Sequence, residues 1–149
     1  MTIKNDVNDS VDVLVDISGW FTDGSNPAAT GGVYTPLTPG RLLDTRFGGS
    51  PLGAGETRPI AIAGHNCVPA SGAAVVSINL TATDETYPGL SFIAAFPDPG
   101  PWPHNSDLNT IGGGTTTNAV LVGLGAGRFD LIHADGSADL IVDVEGWFS

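Results

Sequence analysis

The sequence predicts an all-β fold, an antiparallel β-sandwich or jelly roll of about eight to ten strands with an extra N-terminal β-hairpin. Three observations carry that expectation. Apolar and polar residues alternate in run after run, whereas helical periodicity is hard to find anywhere. The 21 glycines and 11 prolines are dispersed between those runs, as turns between many short strands require. The third is an internal repeat, since residues 11–22 read VDVLVDISGWFT and residues 138–149 read ADLIVDVEGWFS.

At an offset of 127 residues, Asp12 matches Asp139, Val15 matches Val142 and Asp16 matches Asp143. Gly19, Trp20 and Phe21 match Gly146, Trp147 and Phe148. Residues 2–5 stand where residues 130–133 stand, so the two ends read as versions of one hairpin. Residues 1–22 are therefore expected to be a hairpin duplicated from the end of a preceding repeat. Residues 23–32, DGSNPAATGG, have no apolar pattern and read as a linker, and residues 33–149 read as the sandwich.

In the N-terminal copy, Val11, Val13, Val15 and Ile17 share one strand face, and Asp12, Leu14, Asp16 and Ser18 the other. Gly19 lets that strand bend, and Trp20, like Trp147, is expected to plug a sheet end. Pro36 and Pro39 keep the following stretch extended and near a sheet edge, because neither can donate to a ladder. A short strand at 41–44 ends in the GGSP turn at 48–51. Further strands are expected at 57–63, 73–82, 90–96, 106–111 and 115–122, with AAVVSINLTA at 73–82 the best core strand. Residues 128–133 and 139–148 are expected to pair as a terminal hairpin around Ala-Asp-Gly-Ser.

Composition bounds the function. A chain of 149 residues can build a sizeable core, and its 41% hydrophobic content is that of a globular protein. The net charge is −11, from 16 acids against 5 Lys and Arg, so no basic patch can form. Nucleic acid and anionic membrane surfaces are excluded as partners on that ground. Ten of the 16 acids, counting Asp23 just beyond the first copy, lie at the terminal copies, which concentrates the acidity there. No apolar run approaches the roughly 20 residues of a membrane-spanning helix, so no membrane insertion is expected. The single cysteine, Cys67, cannot form an intrachain disulfide, and its place before a core strand suggests a buried or half-buried thiol.

Four segments carry a resemblance: RLLDTR at 41–46, PLGAGETR at 51–58, CVPASGAAVVSINLTAT at 67–83 and DLIVDVEGWF at 139–148. Their order resembles a repeat unit common in secreted and surface proteins of actinobacteria, and similar units occur in some phage structural proteins. The resemblance covers about residues 33–149, with the first 22 residues matching the tail of a preceding unit. Trp147 stands where tyrosine is the more usual aromatic. The resemblance implies an extracellular or cell-surface location, with the virion as the alternative, and an array context without enzymatic chemistry.

Candidate site residues fall into three groups. Arg41, Asp44 and Arg46 form the densest charge cluster, read as a structural Arg–Asp network or as a site for a carboxylate or sugar acid. Asp139, Asp143 and Glu145 share a strand face, as do Asp12 and Asp16; paired strands would crowd these charges, and calcium is the cation that would relieve them. The spacing matches no dedicated calcium loop, so the first expectation is a solvated acidic face and no cofactor. Trp102, with His104 and Asn105, sits in a loop stiffened by Pro99, Pro101 and Pro103, and Tyr87 is a second displayed aromatic. These four are the candidate ligand-binding residues, suited to stacking on a sugar ring or a partner surface.

Catalysis has little to stand on. His65, His104 and His133 lack zinc spacing, His65 and Cys67 lack an orienting acid, and no Gly-x-Ser-x-Gly elbow occurs. The expectation is a non-catalytic surface module with structural and adhesive roles, forming homo-oligomers through the terminal hairpins. A carbohydrate-binding module acting on polysaccharide through Trp102 and Tyr87, or a phage fibre or decoration domain, are the alternatives.

Overall fold

The computed structural model describes residues 32–149, together with Lys4, Ser10, Asp12, Val13, residues 15–21 and Ser25. Nine strands follow in order: β1 (Tyr34–Asp44), β2 (Leu52–Gly53), β3 (Thr57–Ala61), β4 (Val75–Thr83), β5 (Leu90–Asp98), β6 (Leu108–Ile111), β7 (Thr116–Gly123), β8 (Arg128–His133) and β9 (Ser137–Phe148). One sheet runs β1-β9-β4-β7, with β2 continuing beside β9, and the other runs β3-β8-β5-β6. Every pairing is antiparallel. Apart from β2, this interleaved order is that of a two-sheet jelly roll. Among the described residues no helix is long and apolar enough to cross a membrane.

The alternation read from the sequence is what closes the sandwich. β4 turns Val76, Ile78, Leu80 and Ala82 inward, and β9 turns Ala138, Leu140, Val142 and Val144 inward. They meet Ile93, Leu108, Phe129 and Leu131 of the facing sheet. β9 is the central strand of its sheet, with β1 on one side and β4 on the other. The prolines are found where expected, since β1 is an edge strand. Register shifts between Pro36 and Gly40, and between Arg41 and Leu43, absorb the lost ladder bonds.

Two expectations about the chain ends change. β8 and β9 do not form a hairpin, because they lie in opposite sheets. The link between them carries the chain across the sandwich, with Gly136 at a φ of 77°. Phe129 and Leu131 then face Leu140 and Val142 across the core instead of lying beside them. The unit that the chain repeats is therefore a single strand of the β9 type. Of the expected N-terminal hairpin, Lys4, Ser10, Asp12, Val13 and residues 15–21 belong to no strand, and the rest lies outside the described residues. Trp147 packs against the core as expected, whereas Trp20 is 67% exposed and plugs nothing.

Candidate functional site

The outer face of the β1–β9 pair carries the charge cluster. Strand register puts Arg41 opposite Asp143, and the guanidinium grips that carboxylate with Nε and Nη2. Arg41 Nη1 also donates to Asp44 at 2.6 Å, and Arg46 forks onto Asp44 at 2.9 and 2.7 Å. Beside them the Thr45 hydroxyl donates to Asp139 at 2.6 Å and accepts from the Leu140 N–H at 2.8 Å. The cluster is a clamp that fixes the end of β1 on β9. Its guanidinium groups are already engaged with carboxylates of the chain.

The Arg46 guanidinium, joined by its own backbone N–H and by Arg41, outweighs burial and holds the Asp44 carboxyl down at about 2. A carboxyl whose folded pKa lies below the unfolded value stabilises the fold above about 4 and loses that contribution as pH falls toward 2. Glu56 is held low in the same way by the Gly53 N–H and Arg58. Melting temperature followed from pH 6 to 2 is expected to drop most steeply below about 4, and Asp44→Asn to flatten that limb. An unchanged acid limb in Asp44→Asn would remove the clamp from the account of stability.

The acidic stripe is present on β9 but is not crowded by like charge. Asp143 lies opposite Asn79 and Arg41, and Asp139 opposite Thr83. Glu145 accepts the Ser77 hydroxyl at 3.4 Å. Asp139 and Asp143 stand about 13 Å apart along the strand, too far to share one ion. Among the described residues no three His, Cys, Asp or Glu side chains converge as a metal site.

The 99–107 loop brings Trp102, His104 and Asn105 together, but largely to satisfy one another. The indole stacks on Phe92 at 5.6 Å with planes 29° apart, and the His104 ring lies 4.5 Å away. Its N–H donates to the Asn105 carbonyl at 3.0 Å, leaving Trp102 half-buried. Asn105 Nδ2 donates to Asp107, whose carboxylate also takes the Ala95 N–H at 2.8 Å. Burial, aided by Asp16, lifts the Asp107 pKa although both those donors oppose it. Tyr87 is on a different loop, against Gly89, Gly112 and Gly136, so it does not join Trp102 in one surface.

Sequence reading missed the most deeply buried polar pair. His133 and Glu85 are both fully enclosed, with Nε2 2.8 Å from Glu85 Oε2 and Nδ1 3.2 Å from the Leu52 carbonyl. Both ring nitrogens thus face acceptors. Glu85 also accepts from Thr110 Oγ1 at 2.8 Å and the Tyr87 N–H at 2.9 Å. Burial pushes the Glu85 carboxyl up, but those donors and His133 together hold it below the ordinary value. The available signal was strand register, which puts His133 on the inward face with Phe129 and Leu131. Cys67 is the opposite case. It is exposed, because Asn66 and Cys67 both adopt positive φ, and Val68 takes the core position instead.

The described part of the N-terminal copy lies along the outside of β7 and the end of the sheet. Phe21 comes within 6.3 Å of Phe148, ring to ring. Open clefts of about 290 and 430 Å³ run between this segment and the sandwich, the first beside Ile17, Asn105 and Leu121, the second beside Trp20, Val75 and Phe148. Val13 and Val15 are 53% and 55% exposed, Ile17 88% and Phe21 83%. No family model, curated protein or solved structure matches this chain.

Proposed function

We propose that the chain is a non-catalytic structural and adhesion module of an extracellular or cell-surface protein, joined to its neighbours through β-strands. The observation that carries this reading is the exposed second copy of the central strand on a sandwich whose own copy is already in place. A monomeric protein rarely leaves such an apolar run uncovered. The resemblance to actinobacterial surface repeats, and to units of phage structural proteins, supports the same setting, with the virion as the alternative location.

Light-scattering mass across a concentration series tests the reading. Residues 1–149 are expected to associate as concentration rises, and residues 24–149 to remain monomeric. Monomers in both cases would remove self-association from the proposal. Carbohydrate binding is the second reading, favoured by the exposed His104 beside the half-buried indole. Because Trp102 packs on Phe92, Trp102→Ala is expected to lower the melting temperature by several degrees and leave association untouched. Loss of retention on a polysaccharide with an unchanged melting temperature would instead make Trp102 a sugar platform.

A further inference from the structure

We infer that residues 11–22 are a closing strand for a second sandwich of this kind, built to fill the slot between β1 and β4 that β9 fills here; the inference rests on the structural-module reading and specifies its partner. The slot makes four separate demands on β9. Its inward positions, Ala138, Leu140, Val142 and Val144, are wholly enclosed. Its outward positions 139 and 143 present carboxylates to Thr45, just past β1, and to Arg41 of β1. Position 146 favours glycine, because a Cβ there would displace the Tyr34 ring. Positions 147 and 148 supply aromatics, Trp147 to the core and Phe148 to Tyr34 at 4.8 Å.

The N-terminal copy meets each demand at the matching position. Val11, Val13, Val15 and Ile17 stand in for the inward residues, Asp12 and Asp16 for the carboxylates, Gly19 for Gly146, and Trp20 and Phe21 for the aromatics. Ser18 replaces Glu145, whose 3.4 Å contact with Ser77 is the longest of the polar contacts around β9 described above. Where the segment now lies, those choices serve no purpose. A Cβ at Gly19 would meet nothing within 4 Å. Asp16 faces another carboxylate, Asp107, where the slot would offer it an arginine. Val13, Val15, Ile17, Trp20 and Phe21 are exposed, and open clefts separate the segment from the sandwich.

The acceptor is a second copy of residues 32–137 whose slot is open. An intact copy already holds β9 there, tethered by a short link at high effective concentration, so the strand does not displace it. The test joins residues 32–137 directly to Val11 of the chain, so that Val11 follows Ser137 where Ala138 otherwise would. The extended chain is expected to unfold with about twice the calorimetric enthalpy of residues 1–149. The amides of residues 12, 13 and 15–21, which belong to no strand in the parent chain, are expected to exchange freely there and to become protected in the extended chain. Val15→Lys with Ile17→Lys should return the enthalpy of the extended chain to that of one sandwich while leaving the parent unchanged. A single-sandwich enthalpy with residues 12–21 unprotected overturns the inference. So does a doubled enthalpy that survives the two lysines, since the leading half would then fold without the strand. Neither result depends on self-association of the parent, so the light-scattering outcome and this one fail separately.

Discussion

Glu85→Ala is expected to destabilise the fold by about 3–5 kcal/mol, because several buried groups lose their shared acceptor at about 1–3 kcal/mol each. The substitution leaves His133 Nε2 with only the long 3.4 Å contact to the Ser91 hydroxyl, and deprives Thr110 Oγ1 and the Tyr87 N–H of their acceptor. For a chain of this size each kcal/mol moves the melting temperature by about 3 °C, so thermal unfolding should begin roughly 10 °C lower. The pair also sits at the crossing between sheets, where Glu85 and Tyr87 pack directly on Gly136. Replacing Glu85 and His133 together by leucines should recover part of the loss, because no imidazole is then left enclosed beside the lost carboxylate. A Glu85→Ala melting temperature within 2–3 °C of the parent would show that water or a neighbour replaces the carboxylate.

Leu140→Ala comes next, at about 2–5 kcal/mol from lost burial and the cavity left behind. Leu140 is fully buried at the centre of β9, and its N–H is already committed to Thr45. Its counterpart in the copy is Val13, and Val13→Ala in residues 1–149 is expected to change stability by less than about 0.5 kcal/mol. Urea unfolding of both variants at constant m-value measures the difference. A comparable loss at Val13 would mean that the N-terminal segment holds this sandwich together, and would conflict with the loose seating described above.

The strands were legible because their faces differ so sharply. In β4 and β9 alternate residues are buried almost without exception, and a one-residue slip would invert both faces. Sheet assignment was harder. Residues 128–133 and 137–148 are both apolar-in strands separated by a short turn, a pattern that a hairpin and a crossing between sheets share. β1 starts earlier than its strand pattern suggested because bulges let an edge strand carry Pro36 and Pro39. The clamp of Arg41, Asp44 and Arg46 could be read as a cluster, but Asp143 as its fourth member depends on pairing across 102 residues. Glu85 lies in a loop with no periodicity, so only the folded chain brings it to His133. Cys67 misled because apolar character near a core strand says nothing of backbone φ; the turn aims the thiol outward and gives the interior to Val68.

The central position of β9 also governs the order in which this fold can form. β1 and β4 do not pair with one another; β9, which follows both in the sequence, joins them, and among the described residues β1 has no other strand partner. Until that strand arrives, they stand on either side of a gap about two strand spacings wide, close to 10 Å, with ladder groups unpaired on both sides. Such long-range closure is entropically late, which places the fold among slow-folding, high-contact-order topologies. The half-made sheet therefore presents unpaired strand edges of the kind that β9 fits. The first strand of this type to reach it, from its own chain or from another, decides whether the molecule finishes alone or as a link.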